Sequence, residues 1–244
     1  MSAADLAAQL DLPRVLIFAE VASTMDIAHE AAAAGAPAGT LVVADAQTAG
    51  RGRLGRSWTA ASTAGVWITL IERPSSGQHV EALPLRVGVE LAPALDKFAG
   101  EPVRLKWPND LYLRAGKLAG VLCEARWRGG GRVPEWISVG VGINLRAPGS
   151  EENAAGLLSG ARRLDVLASA VRAVRRAASR LGALSDAERA CFAERDLAAG
   201  RRCTEPVAGR VAGIDAAGAL LVDVDGEVAV LRSGSLVLQP EGAS

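Results

Sequence analysis

Gln47-Thr48-Ala49-Gly50-Arg51-Gly52-Arg53-Leu54-Gly55-Arg56-Ser57-Trp58 is the stretch on which the fold assignment turns. From Gly50 to Arg56, three glycines and three arginines share seven positions. Glycine lets backbone approach an anion closely, and a guanidinium grips phosphate or carboxylate as a planar fork. The segment formally matches G-x-G-x-x-G, and Glu72 stands where a ribose-binding acid could. A dinucleotide turn, however, must open a helix directly after a strand. Ser57 to Gly65 carries no long amphipathic pattern, and an arginine between the glycines would crowd the pyrophosphate turn. The stretch therefore reads as an anion-facing loop, and a doubly wound dinucleotide fold is set aside.

On the N-terminal side, a short lead ends at Pro13, and Arg14-Val15-Leu16-Ile17-Phe18 reads as a buried strand. Ser23-Thr24-Met25-Asp26 reads as a helix start running to Ala34, with Gly35 as the stop. Strands are predicted at 41–44 and 66–71. A helix after Pro84 places Leu83, Val87, Leu91 and Leu95 on one face, with Pro93 expected to kink or shorten it. Further strands follow at 103–107, 111–113, 119–125 and 136–143, the last two joined by a turn at Gly129-Gly130-Gly131. Leu164, Leu167, Val171, Val174, Ala178 and Leu181 predict an amphipathic helix over 161–181. Its arginines, Arg162, Arg163, Arg172, Arg175, Arg176 and Arg180, read as a solvated face. Beyond Gly200, short β-rich runs alternate with Gly and Asp turns and predict a small barrel. The expectation is an α+β protein, a mixed sheet with helices over 1–197 and a small C-terminal β-barrel domain over 198–244.

The 244 residues are 50% hydrophobic, enough for a substantial core, and Lys+Arg 27 balances Asp+Glu 27. No global field exists to hold nucleic acid or anionic lipid, so neither partner is expected. Cys123, Cys191 and Cys203 are odd in number and widely spaced, which fits reduced thiols. Asp5 and Asp11 interrupt the N-terminal apolar residues, and no signal peptide or membrane span is read there. A cytoplasmic protein is expected. His29 and His79 are isolated in sequence and read as structural or exposed, with no metal cluster.

Two further segments carry chemistry-bearing residues. Lys106-Trp107-Pro108-Asn109-Asp110 precedes Lys117-Leu118-Ala119-Gly120, where Lys117 opens an apolar strand. A lysine there calls for an anion or carbonyl beside it, or else a route to solvent. Gly140-Val141-Gly142-Ile143-Asn144 ends a strand in an amide that could read a base edge or cap a turn.

In order along the chain, Ser-Thr at 23–24, Gln-Thr-Ala-Gly-Arg-Gly-Arg at 47–53, Lys-Trp-Pro-Asn-Asp at 106–110, Lys-Leu-Ala-Gly at 117–120 and Gly-Val-Gly-Ile-Asn at 140–144 together resemble the biotin protein ligase family. The resemblance implies a catalytic fold like that of class II aminoacyl-tRNA synthetases and lipoate ligases, with a Src-homology-3-like C-terminal barrel. It implies ATP, with Mg²⁺ carried on its phosphates, and biotin as substrates. Biotinyl-5′-AMP and pyrophosphate form first, and biotin then passes to a lysine of a biotin carboxyl carrier domain. The resemblance assigns biotin contacts to Ser23, Thr24, Gln47, Gly50, Arg51, Gly52, Arg53, Lys117 and Gly120, and nucleotide contacts to Arg56, Trp58, Lys106, Trp107, Asn109, Asp110 and Asn144. Arg51, Arg53 and Lys117 would supply the catalytic cations. Met25 stands where the family commonly has Asn and is a weaker biotin candidate. Only a short lead precedes the first strand, so the family's DNA-binding repressor domain is not expected, and the assembly expected is a monomer or homodimer. The rival readings are a lipoate or octanoate ligase or transferase of the same fold, and a biotin-binding module without catalysis.

Overall fold

A computed structural model describes residues 2–60, 64–78, 80–149, 153–180 and 182–240. His79 and Leu181 lie outside the described residues.

The chain opens with α1 (Ala3–Leu10), a helix within what the sequence showed only as a lead. Ser2 and Asp5 form a reciprocal capping box at its start. Strand β1 (Arg14–Val21) then pairs in parallel with β2 (Thr40–Arg51). A parallel pair needs a crossover, and α2 (Thr24–Ala33) supplies it. Ser23 caps α2 by accepting the Met25 N–H at 3.2 Å.

The 47–58 stretch departs from the expected loop. Strand β2 runs on to Arg51, and β3 (Ser57–Ala60) folds back to pair with it, leaving only a tight turn through Arg53–Gly55. The pairing is tertiary in origin: the Gly/Arg composition shows no strand period, but β3 supplies the hydrogen-bond partners.

Antiparallel ladders then add β4 (Gly65–Glu72), β8 (Trp136–Asn144), β7 (Gly116–Arg126), β6 (Asp110–Leu113) and β5 (Arg104–Lys106), giving an order β1-β2-β4-β8-β7-β6-β5. The expected mixed sheet is therefore present. Helix α3 (Leu83–Ala99) passes through Pro93 without a break. Proline removes the bond to the carbonyl four residues back, which is that of Val89. The Cys191 thiol approaches that carbonyl at 3.9 Å.

Helices α3 and α4 (Arg163–Ala178) cover one sheet face, with Val87, Leu91, Leu95, Val139, Val141, Val171 and Val174 in one core. The arginines on and beside α4 largely form the solvated face expected, with Arg162, Arg172, Arg175, Arg176 and Arg180 exposed, and most of them also make surface ion pairs. Arg163 pairs with Asp45, Arg175 with Glu72, and Arg176 with Glu90, while Arg180 just beyond reaches Glu90 and Glu188. Helix α5 (Asp186–Arg195) follows, started by a capping box of Ser185 and Glu188 that the sequence reading passed over.

The last strands are β9 (Arg202–Glu205), β10 (Gly209–Ile214), β11 (Leu220–Val224), β12 (Glu227–Leu231) and β13 (Val237–Leu238). Their order, β12-β11-β10-β9-β13, is an open sheet and not the closed barrel expected. Closure would need β12 to meet β13, and β13 is two residues long and pairs only with β9 among the described residues. The sheet still shares the main core through Cys203, Val211, Leu220, Val222 and Leu236. It is tied down further where the Trp107 indole N–H donates to the Gly218 carbonyl at 3.0 Å.

The opposite face of the large sheet positions the site. Residues alternate across a strand, so Trp67, Thr69 and Ile71 of β4 point away from Val66, Ile68 and Leu70. On β8, Gly140 and Gly142 share the first face. Helix α2 covers one part of that face with a small cluster of Ala28, Ala32, Val42, Ile71 and Trp136. Beside it the face is a trough.

Candidate active site

That trough is a cleft of about 980 Å³, part of it continuous with solvent. Its floor is shaped by glycines. Gly120 of β7 pairs directly with Gly142 of β8. A Cβ at Gly142 would fall 2.7 Å from the Trp58 indole, one at Gly120 3.0 Å from it, and one at Gly140 2.8 Å from Met25 Cε. A side chain at any of these three positions would push against Trp58 or Met25, both of which line the cleft.

One end is polar and fixed. Gln47 Oε1 accepts from both the Thr24 N–H (2.7 Å) and the Thr24 hydroxyl (3.0 Å), and Thr69 Oγ1 donates to Thr24 Oγ1 at 2.9 Å. Two donors on one oxygen set the amide orientation, leaving the Gln47 NH₂ as a donor for a ligand acceptor. Ser23 and Thr24 are 2% and 4% exposed, so this end is dry as well as rigid. Met25, also buried, lies against Gly140.

The other end is cationic. Lys117 Nζ meets Asp110 Oδ1 at 2.7 Å and stands 5.1 Å over the Trp58 ring. Arg53 reaches Asn109 Oδ1 at 3.4 Å, while Asn109 Nδ2 donates to the Val121 carbonyl. Lys106 lies over the Tyr112 ring at 5.5 Å. Burial lowers the pKa of both Arg53 and Lys106, with the Asp110 carboxylate pulling the other way. Burial is also the larger cause that pushes the Tyr112 hydroxyl up to about 12, with Asp110 adding to it. Arg53 and Lys106 are thus cations drawn out of bulk water that share one nearby carboxylate, Asp110, which is already paired with Lys117, an arrangement suited to an incoming anion.

Of the residues singled out in the sequence, Ser23, Thr24, Met25, Gln47, Arg51, Gly52, Arg53, Lys117 and Gly120 line the cleft, as do Arg56, Trp58, Lys106, Trp107, Asn109 and Asp110. Gly50 and Asn144 do not. Gly50 instead permits the β2–β3 pairing, since a Cβ there would lie 2.5 Å from the Trp58 carbonyl. Asn144 is 4% exposed and donates to the Lys117 carbonyl at 3.3 Å, bracing the strand that carries Lys117.

The sequence reading missed three contributions. Gly140 and Gly142 were legible as a G-x-G on a strand but were not placed in the floor. Ser235 and Leu236 line the rim, with Arg56 donating to Ser235 Oγ at 3.2 Å. Their remoteness in sequence left no signal. His29, read as isolated, is bonded to Glu124 at 3.0 Å and accepts from Trp136 at 2.9 Å beside the cleft.

Among the described residues no group of three or more His, Cys, Asp or Glu is placed to hold a metal ion, and no helix is long and apolar enough to cross a membrane.

Residues 17–144 match the biotin/lipoate A/B protein ligase family. The bifunctional ligase/repressor BirA of Bacillus subtilis is 42% identical over 53% of this chain, which spans only 40% of that protein's length. The biotin–[acetyl-CoA-carboxylase] ligase of Mycobacterium tuberculosis is 32% identical, with 91% of this chain and 87% of that protein covered. Among solved structures, the biotin protein ligase from Aquifex aeolicus in complex with biotin and ATP superposes with a TM-score of 0.77 at 26% identity, covering 93% of this chain and 99% of that one.

Proposed function

The chain belongs to the biotin/lipoate A/B protein ligase family, and on that premise we propose that it is an ATP-dependent biotin protein ligase with the cleft as its active site. The observation that carries the reading is the cleft's polarity: a fixed hydrogen-bonding end at Thr24 and Gln47, a glycine floor, and cations at the far end. Biotin has the matching polarity, with a ureido ring that offers donors and an acceptor, an apolar tail and a terminal carboxylate. A lipoyl dithiolane or octanoyl chain would leave the Gln47 NH₂ group, whose oxygen is already held by Thr24, without an acceptor, a penalty that discriminates strongly.

The biotin carboxylate oxygen attacks the α-phosphorus of ATP, and the bond from that phosphorus to the bridging oxygen breaks, so pyrophosphate leaves. The amine of the acceptor lysine then attacks the acyl carbon of biotinyl-5′-AMP. The bond to the phosphate oxygen breaks, AMP leaves, and the amine proton passes to solvent. Two anions must meet in the first step, so cations fixed in advance lower the barrier without reorganising. Arg53 and Lys117 take that part, with Lys106 and Arg56 toward the polyphosphate and Trp58, Trp107, Asn109 and Asp110 on the nucleotide side. Magnesium arrives on the ATP phosphates.

The acceptor is a biotin carboxyl carrier domain, the setting is the cytoplasm, and the working protein is a monomer or homodimer that needs no nucleic acid. Residues 1–197 form the catalytic unit, and 198–244 add the small sheet that rims the nucleotide end.

The test is pyrophosphate release from the pure protein with ATP and biotin, lipoate or octanoate in separate reactions. Release with biotin alone is expected. Release with lipoate or octanoate but not biotin overturns the biotin assignment, and biotin binding without release with any acid reduces the protein to a binding module.

A further inference from the structure

Arg51 lines the cleft, yet its guanidinium is committed elsewhere. One arm donates to Asp26 Oδ1 of α2 and the other to Glu124 Oε1 of β7, each at 2.5 Å. Glu124 uses its second oxygen to accept from His29 Nε2 at 3.0 Å. The Trp136 indole N–H can only donate, so His29 Nδ1, at 2.9 Å, must be the acceptor and Nε2 must carry the proton. The ring is thereby fixed as the neutral tautomer that donates to Glu124. Burial, the first cause, and the neighbouring Arg126 lower the His29 pKa and outweigh Glu124. Glu124 and His29 side chains are 18% and 12% exposed, so the network is anchored below the surface.

Arg51 ends β2 and pairs in register with Ser57 at the root of the turn that carries Arg53 and Arg56. Asp26 follows Ser23, Thr24 and Met25 at the polar end. The three elements that meet at this guanidinium all contribute residues to the lining of the cleft. To neutralise a reacting phosphate, Arg51 would first have to break two charge-assisted hydrogen bonds.

We propose that Arg51 is a strut and not a reacting cation, and that Asp26, Glu124 and His29 are positioning residues that lock it. They tie the root of the Arg53-bearing turn to α2 and β7 and so set the width of the biotin end. A bridging role demands a fork that reaches two carboxylates at once, which lysine lacks. The proposal rests on the biotin ligase reading for its kinetic consequence, but not for its structural one.

The experiment combines Glu124→Gln, Arg51→Ala and the double variant, with thermal melts confirming that each is folded. Glu124→Gln is expected to raise the KM for biotin about tenfold, leave the KM for ATP and kcat within about threefold, and have no further effect in the Arg51→Ala background, since the two act as one unit. An equal cost in both backgrounds, or an equal rise in both KM values, overturns the strut. Trypsin cleavage after Arg53 and Arg56 in the ligand-free protein is the second measurement. It should be faster in Glu124→Gln and in Asp26→Asn than in the wild type, and an unchanged rate overturns the proposal whatever the substrate. A wild type that releases no pyrophosphate with biotin would instead defeat the ligase reading, leaving the cleavage result to judge the strut alone.

Discussion

Arg86 and Arg53 are both guanidiniums drawn out of bulk water, and the fold treats them oppositely. Arg86, on α3, donates to Glu188 Oε1 at 2.7 Å and to the carbonyls of Arg180, Gly182 and Ala183, with 3% of its side chain exposed. Arg53 has one long hydrogen bond to Asn109 and makes no ion pair among the described residues. Buried charge that holds helices together is saturated with partners. Arg53, facing the cleft, is left with unused donors, which costs stability until an anion arrives. The separation between scaffold and site is thus visible in how completely each cation is satisfied.

The most forceful way to break the comparison is Glu188→Ala, which strands the Arg86 charge at the α3–α5 junction. Removing one partner of a buried pair costs about 3 to 5 kcal/mol, a Tm fall on the order of 10 °C for a domain of this size. The KM values for biotin and ATP should stay put. The same pair makes a pH prediction. Burial alone would raise the Glu188 carboxyl, but Arg86, the Ser185 N–H and Arg180 override it and hold it down at about 2, against an ordinary 4.5. Its stabilisation is therefore full above pH 4.5 and lost as pH falls toward 2, and the Glu188→Ala penalty should shrink over that window. A penalty independent of pH would show that lost packing, not lost charge, is responsible.

Lys117→Ala probes the other half. The side chain is 32% exposed and fills little core, so melting should be near wild type, whereas adenylate formation should fall about a hundredfold or more. A folded variant within about threefold of wild type would remove Lys117 from the reaction.

The smallest effect sharpens the contrast with a charge that serves neither purpose. Asp196 is 4% exposed beside β5, and burial, only partly countered by the Ala198 N–H and Arg104, raises its carboxyl to about 6 from 3.8. The folded state favours the protonated acid, so the group's contribution is full below pH 3.8 and lost as pH rises through 6. Asp196→Asn, which can still accept from the Ala198 N–H, should raise Tm by a few degrees at pH 7.5 and hardly at all at pH 4, since one or two kcal/mol is a few degrees here. Equal melting at pH 7.5 would mean the carboxylate is already well solvated.

The contrast also explains what could be read from sequence. Ser23, Thr24, Gln47, Lys106, Asn109 and Lys117 were legible because five short segments in one order resemble the biotin protein ligase pattern, whereas each segment alone left its role open. The extension of β2 through Arg51 was not, since glycine and arginine show no strand period and the pairing comes from β3. The five C-terminal strands were legible but their closure into a barrel was not, because strand number says nothing about which edges meet. Helix α5 carried its own signal in Ser185-Asp186-Ala187-Glu188, a capping box that went unread. The pairing of the α4 arginines with Glu72 and Glu90 and the rim contact of Ser235 join positions far apart in sequence, beyond any local pattern.

That rim has a consequence for biogenesis. Chains emerge from the ribosome N-terminus first, and domains fold as they appear. Ser23, Thr24 and Gln47 can meet early, but Ser235 and Leu236 are translated long after the glycine floor, and the Trp107 indole must wait for Gly218 before its N–H finds a partner. A nascent chain can therefore own the Thr24–Gln47 end of the cleft while its far end still lacks a wall; on the ligase reading proposed above, such a chain would not yet be positioned to generate an anhydride that it cannot shelter.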